Sequence, residues 1–146
     1  MSKRGNSLHY KIHWHVIFTH FPISLFGSAF LFQMLHLFWA PACFELATNV
    51  VLTLGTISMI PAVLTGWRTW KRSYQGAHVT LFQRKIVIAF ALTGVSIFLT
   101  SWRALYIGFF TEVPFGVSHW LYLAGNILLI IGAAAEGVYG GLLNHH

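Results

Sequence analysis

The segment Leu46–Trp67, LATNVVLTLGTISMIPAVLTGW, decides the fold class of this chain. It contains no Asp, Glu, Lys or Arg along its whole length, and a helix needs about 20 mainly apolar residues to cross the hydrocarbon core of a bilayer. Three other stretches also lack these four residue types, namely 12–44, 86–102 and 113–135. The sequence therefore contains four candidate membrane spans.

The composition of the whole chain agrees with this pattern. Of its 146 residues, 56% are hydrophobic and only 8% are charged, and its mean hydropathy is +0.66. A soluble domain carries roughly 25% charged residues, which excludes a soluble surface here. An aromatic content of 16% with so little charge also excludes a disordered chain.

The spans are predicted to be helices. Lipid leaves only helices and closed β-barrels as spanning structures, and barrel strands alternate apolar and polar residues over about 10 positions. The four stretches are instead apolar on all sides. The expected fold is all-α, an integral membrane four-helix bundle in a single domain over 1–146. Its helices are expected at about 14–39, 45–69, 80–107 and 117–142.

The basic residues predict the orientation of the bundle. Of the nine Lys and Arg residues, all but Arg103 precede the first helix or flank the joint between the second and third helices. Cytoplasmic segments carry an excess of Lys and Arg, so both termini are expected in the cytoplasm. Because these residues stand at the ends of apolar stretches, the net charge of +6 indicates no nucleic-acid partner. The single cysteine, Cys43, excludes an intramolecular disulfide framework.

Nine histidines stand beside only three acidic residues. Ionisable residues within spans indicate function, and histidine is a frequent ligand of haem iron in helical bundles. By depth, His20 is expected to meet His78 near the cytoplasmic face, with His15 as another candidate at that level. His36 is expected to meet His119 near the outer face. The sequence thus predicts one haem b near the cytoplasmic side and, as an extension, a second haem at the outer pair.

The helical wheel separates the two sites. His20 and His36 lie 16 residues apart, which places them about 160° apart on an ideal helix. They are expected on opposite faces of the first helix, which disfavours a single histidine-lined path through the membrane. Hydrogen bonding to carbonyl groups at helix ends is the other interpretation of His36 and His119.

Further residues are candidates for contact with a cofactor. Positive charge suits haem propionates, and a flat macrocycle needs a small residue such as Gly27 where helices approach closely. Glu136 is expected to be a proton acceptor beside a quinone or a partner for His or Arg from another helix, unless the fourth helix ends early and leaves it at the headgroups. Arg103 is expected to pair with Glu45 or Glu112, or else to contact a propionate. The candidate propionate partners are Arg68, Lys71, Arg72 and Arg103.

Two polar stripes are predicted to face the interior of the bundle or a partner helix. Residues three or four positions apart share one helix face, and polar atoms that face lipid are costly. The stripe on the second helix comprises Glu45, Asn49, Thr53 and Thr56. The stripe on the third helix comprises Thr93, Ser96, Thr100 and Arg103.

The segment 15–23, HVIFTHFPI, resembles the first helix of a family of small bacterial four-helix inner-membrane proteins of unassigned function, which carries His-Pro-x-x-x-His-Phe-Pro-Ile. The end of the second helix (65–67), His78 and Arg103 are also similar to that family. Val16 stands where the family has Pro, and His36 and His119 match no family position. The resemblance implies a bacterial inner membrane, redox partners, and His15, His20 and His78 as candidate ligands.

These observations predict a membrane b-type cytochrome subunit that passes electrons between a quinone pool and a redox partner. Its expected partners are the lipid bilayer and either a larger redox complex or further copies of itself. It is expected to be an electron-transfer subunit rather than an enzyme by itself. A non-catalytic anchor or assembly subunit is one alternative, and a histidine-lined transporter of metal ions or protons is another.

Overall fold

The computed structural model describes residues 14–39, 42–73, 80–113 and 116–144, and the side chains among them except at 14–17, 73, 81 and 142–144. The described residues form four long helices and no strand, as the sequence predicts. The second helix begins three residues earlier and ends four residues later than expected. The helices are α1 (Trp14–Trp39), α2 (Ala42–Ser73), α3 (Thr80–Trp102) and α4 (Val117–Asn144).

All four helices are long and apolar enough to cross a membrane, over Phe18–Trp39, Ala42–Arg72, Phe82–Ile107 and Val117–Gly141. Large apolar side chains such as Leu64, Phe98 and Ile131 lie more than half exposed on the outside of the bundle. Apolar exposure of this kind is expected of a surface that faces lipid tails. The protein is therefore an all-helical bundle with four candidate membrane spans.

The helices pack in a ring in chain order. Within the described residues, α1 and α3 each pack against α2 and α4, and the closest packing is between α1 and α2. The two ends of the bundle are named here by their residues. The His20 end holds the start of α1 and the end of α2, and the Arg103 end holds the end of α1 and the start of α2.

A hydrophobic core lies between the helices. It includes Phe26 of α1, Leu52 of α2 and Leu129 of α4, all of them at most 1% exposed. Gly55 makes room for it, because a Cβ atom at this position would lie 2.7 Å from Cε1 of the Phe26 ring. The absence of a side chain at Gly55 thus allows α1 and α2 to approach closely.

The last turn of α3 widens into a π-helix at Arg103–Ile107. It ends at Gly108, whose φ of 102° favours glycine and whose N–H donates to the Arg103 carbonyl oxygen at 2.9 Å. A π-turn adds a residue to the helical repeat and often lies at a functional site. In this bundle it begins at Arg103, which is only 1% exposed.

Candidate functional site

A cavity of about 410 Å³ lies at the His20 end, and all four helices contribute to its walls. Small-molecule and cofactor sites usually enclose about 300–1,000 Å³, so this volume suits a ligand. Its deep walls are apolar and include Phe26, Met59 and Leu92. Trp67, Trp70 and Phe82 add aromatic rings to its lining. The volume and lining of the cavity thus suit a largely apolar molecule.

Three ionisable side chains line the same cavity, and two of them form an ion pair. Lys85 Nζ lies 3.5 Å from Glu136 Oε2, with both side chains more than four-fifths buried. The other carboxylate oxygen, Glu136 Oε1, is buried and accepts no hydrogen bond from any described residue. The third group is His20, which lies at the surface of the bundle. Because α4 continues to Asn144, the expectation that the helix ends before Glu136 is wrong.

The predicted iron ligands at this end are described only in part. His20 lines the cavity, as a ligand there would have to do. His78 lies outside the described residues, and His15 lies in α1 with a side chain that is likewise outside the description. The pairing of His20 with another histidine therefore stays a prediction.

The other cofactor-contact candidates at this end do not line the cavity. Arg68 and Arg72 are exposed, and Lys71 Nζ lies 5.1 Å from the centre of the Trp67 ring. Gly27 is not among the lining residues either, and a Cβ atom there would meet nothing within 4 Å. Their contact with a cofactor stays a prediction.

The lysine that does line the cavity is Lys85, which sequence reasoning assigned only to membrane orientation. A signal for its inward position exists in the sequence. Lys85 precedes the buried residues Leu92 and Leu99 at intervals of seven, and this spacing keeps side chains on one helix face.

At the Arg103 end, a buried ion pair joins α2 to the π-turn. Arg103 Nη1 donates to Glu45 Oε1 at 2.6 Å, and the backbone N–H of Val113 donates to the same oxygen at 2.6 Å. Arg103 Nη2 donates to the Thr111 carbonyl oxygen at 2.5 Å. Of the two acidic partners expected for Arg103, the structure selects Glu45 and leaves Glu112 exposed. Arg103 therefore lies in a polar setting that stabilises its charge, and its contact with a propionate stays a prediction.

The structure brings His36 and His119 together at this end, as their depth predicts. Their ring centres lie 6.4 Å apart, with His119 only 4% exposed. His36 Nε2 lies 3.4 Å from Glu45 Oε2, which is an ion-pair distance. Neither histidine lines the cavity of 410 Å³, so the described space for a macrocycle lies at the His20 end. Iron binding by His36 and His119 stays a prediction.

The two predicted polar stripes do face each other. Besides the pair of Glu45 and Arg103, the hydroxyl groups of Thr56 and Thr100 lie 3.1 Å apart across α2 and α3. Asn49, in the same stripe, donates from Nδ2 to the Phe109 carbonyl oxygen at 2.7 Å. The stripes thus fix the register of these helices and hold the connection after α3.

A further polar contact was missed by sequence reasoning. Asn126 Nδ2 donates to Gln33 Oε1 at 2.7 Å, between α4 and α1, and both side chains are at most 2% exposed. A signal was present in the spacing. Gln33 lies seven residues after the buried Phe26, and Asn126 lies seven residues after His119, which keeps each on an inward face.

Among the described residues, no group of three or more His, Cys, Asp or Glu side chains is arranged to hold a metal ion. Comparison of the chain with known protein families, with curated proteins and with solved structures finds no match. The chain's own residues at the two ends of the bundle therefore carry the functional evidence.

Proposed function

We propose that the protein is a membrane electron-transfer subunit, a b-type cytochrome of the bacterial inner membrane, with haem b in the cavity at the His20 end. The observation that carries the proposal is the cavity itself, about 410 Å³ between four candidate membrane spans with a histidine in its lining. Histidine is a usual axial ligand of haem iron, and helical bundles hold such groups between facing helices.

The lining of the cavity fits the two chemical faces of a haem. The apolar side chains of Phe26, Met59 and Leu92 suit the macrocycle, because they remove its apolar surface from water. Lys85 supplies a positive charge that suits a propionate. Glu136 already pairs with this lysine, so a propionate would share Lys85 with it.

The residues of the chain would bind, orient and shield the cofactor, which supplies one-electron chemistry when bound. His20 would hold the iron through an imidazole nitrogen. A second imidazole is proposed from His78 or His15. The aromatic side chains of Trp67, Trp70 and Phe82 would limit the access of water at the same end.

The described helices carry many large, exposed apolar side chains. We propose that these faces pack beside a larger redox complex or against further copies of the chain. Electrons would pass between this partner and the quinone pool of the membrane. By the positive-inside rule, the His20 end would face the cytoplasm.

A second candidate ligand is a quinol in the same cavity. One observation favours it: Glu136 Oε1 is buried, lines the cavity and accepts no hydrogen bond from a described residue. A quinol hydroxyl group has the donor that this oxygen needs, and its apolar tail suits the walls of the cavity. Haem and quinol would compete for the same space, so a binding experiment separates the two candidates.

The experiment is an absorption spectrum of the purified, dithionite-reduced protein from cells supplied with haem precursor. A sharp b-type α band supports the cytochrome. A folded protein without this band would overturn it. Binding of a water-soluble quinol analogue to such a haem-free protein, weakened by Glu136→Gln and unchanged by the exposed-site control Glu112→Gln, would support the quinol. A folded protein that shows neither the b-type α band nor binding of the quinol analogue would favour the non-catalytic anchor subunit.

A further inference from the structure

The helices α2 and α3 meet along a seam that polar contacts hold together toward the Arg103 end. There the hydroxyl groups of Thr56 and Thr100 lie 3.1 Å apart across the two helices. Trp67 follows Thr56 by 11 residues, which is about 17 Å along α2 toward the His20 end and about 20° around it. The Trp67 side chain therefore lies on the side of α2 that faces α3.

Phe90 lies on the side of α3 that faces α2. It precedes Thr100 by 10 residues, which is about 15 Å along α3 and about 80° around it. Leu92, which packs against Gly132 of α4, lies about 160° around the helix from Phe90. Trp67 and Phe90 are 44% and 56% exposed, and both line the cavity at the His20 end. The cavity therefore reaches the outer surface of the bundle between these two aromatic side chains.

An apolar groove continues from this opening toward the middle of the bundle. Ile60 lies seven residues before Trp67, and Ile97 lies seven residues after Phe90. This spacing keeps each pair on one helix face. Ile60 and Ile97 are 60% and 50% exposed, so the groove faces the lipid. The four residues that form this α2–α3 groove are Ile60, Trp67, Phe90 and Ile97.

A basic patch lies beside the groove at the end of α2. It consists of Arg68, Lys71 and Arg72, all of them exposed. Lys71 Nζ lies 5.1 Å from the centre of the Trp67 ring, which forms part of the groove. The chain has three acidic side chains, of which two lie at the Arg103 end and one forms the ion pair with Lys85. No carboxylate side chain therefore neutralises the charge of the patch.

The groove and the patch together have the length of one lipid leaflet. From Lys71 to Ile60 is 11 residues, or about 17 Å along α2. Half of the hydrocarbon core of a bilayer is about 15 Å thick. A phospholipid whose phosphate group lies at the basic patch can thus extend an acyl chain along the groove as far as Ile60. Beyond that level, the contact of Thr56 with Thr100 closes the seam.

We propose that the α2–α3 groove binds one anionic phospholipid. Its phosphate group lies at Arg68 and Lys71, and one acyl chain lies between Trp67 and Phe90. Lys and Arg residues near a membrane surface attract anionic headgroups, and basic pockets between membrane helices bind them. The bound chain covers the opening of the cavity toward the bilayer. The proposal does not depend on which molecule occupies the cavity.

A second copy of the chain is less suited to this groove. Two copies related by a twofold axis would use the same patch on both subunits. Both copies have the same orientation in the membrane, so their basic patches would lie at the same level and repel each other. The headgroup of an anionic lipid instead supplies the negative charge that the patch lacks.

The test is a lipid titration of the full-length protein in a nonionic detergent, with the bound lipids counted by native mass spectrometry. Dioleoyl phosphatidylglycerol is the anionic probe, and dioleoyl phosphatidylcholine is the zwitterionic control with the same acyl chains. The first phosphatidylglycerol should bind about tenfold or more tightly than phosphatidylcholine. Equal affinities for the two lipids would overturn the proposal.

The headgroup contact is tested by removal of charge. Arg68→Gln combined with Lys71→Gln should weaken the binding of phosphatidylglycerol about tenfold and leave that of phosphatidylcholine unchanged. Lys3→Gln combined with Arg4→Gln removes the same charge elsewhere in the chain and should retain the preference. An equal loss of affinity in the two double variants would show attraction by net charge alone and would overturn the proposal.

The acyl-chain contact is tested by filling the groove. Ile97→Trp should weaken phosphatidylglycerol binding several-fold, while Ile131→Trp, at an equally exposed site on α4, should not. Ile60→Trp replaces Ile97→Trp if that variant does not fold. Undiminished binding in a folded Ile97→Trp protein would overturn the proposal. A lipid-free dimer that Ile97→Trp disrupts would assign the groove to a second copy and would overturn it as well.

Discussion

Glu45 and Arg103, 58 residues apart in the chain, form a buried ion pair in which Nη1 of Arg103 lies 2.6 Å from Oε1 of Glu45. The same carboxylate oxygen accepts the N–H of Val113, and Arg103 also donates to the Thr111 carbonyl oxygen. One pair of side chains thus ties α2, the π-turn and the connection to α4 together. The contact also keeps Glu45 beside His36, whose Nε2 atom lies 3.4 Å from Glu45 Oε2.

Removal of one partner of this pair is predicted to destabilise the protein strongly. Glu45→Gln keeps the shape of the side chain but leaves the charge of Arg103 buried and uncompensated. Such a change costs about 3–5 kcal/mol in the free energy of unfolding. The measurement is denaturant-induced unfolding in detergent. Glu112→Gln, on an exposed acid at the same end, is the control and should cost about 0.5 kcal/mol or less. Equal effects of the two substitutions would contradict the prediction.

Two glycine substitutions test the close packing of α1 and α2. Gly55→Ala would place a Cβ atom 2.7 Å from the Phe26 ring, so the ring or the helices must shift. Overpacking of this kind costs about 1–3 kcal/mol. Gly27→Ala, also mid-helix, meets nothing within 4 Å and should not destabilise the bundle. Thermal unfolding of the two variants in the same detergent compares them. Loss of stability in Gly27→Ala but not in Gly55→Ala would refute this account of the packing.

The contact between Gln33 and Asn126 is predicted to show energetic coupling. Gln33→Leu removes the acceptor of Asn126 Nδ2, which then has only the Tyr122 carbonyl oxygen at 3.1 Å. Each single change to leucine should cost about 1–3 kcal/mol, because it leaves a buried polar group unsatisfied. The double variant should cost less than the sum by about 0.5 kcal/mol or more. Strict additivity in the unfolding free energies would mean that the two side chains do not interact.

The helices and the inward direction of the polar stripes could be predicted from the sequence for a physical reason. Stretches without charge fix where the chain can cross lipid, and positions three or four residues apart must share a helix face. The inward direction of both stripes follows from these two rules, whereas packing sets which side chains meet, such as Glu45 with Arg103 and Thr56 with Thr100. A charged or polar side chain within a membrane is costly unless it faces the interior of the bundle or a partner, so few other positions are open to these residues.

The inward position of Lys85 and the contact of Gln33 with Asn126 could not be predicted in the same way. Each depends on how the helices rotate about their axes and on their relative heights, which packing sets. Lys85, Gln33 and Asn126 do have the seven-residue spacing that is typical of an inward helix face. This spacing does not show which residue each of them contacts. The π-turn that begins at Arg103 ends at Gly108, and the hydrophobic periodicity of the sequence does not predict it.

The haem content per chain, measured as the pyridine haemochrome, tests the proposed cytochrome most directly. The wild-type protein is expected to hold about one haem per chain, bound through His20 in the cavity. His20→Leu should lose this haem, while His36→Leu and His119→Leu should retain it. Loss of haem in either of the latter would place a cofactor at the Arg103 end. A folded wild-type protein without haem, or a His20→Leu protein with undiminished haem, would contradict the account.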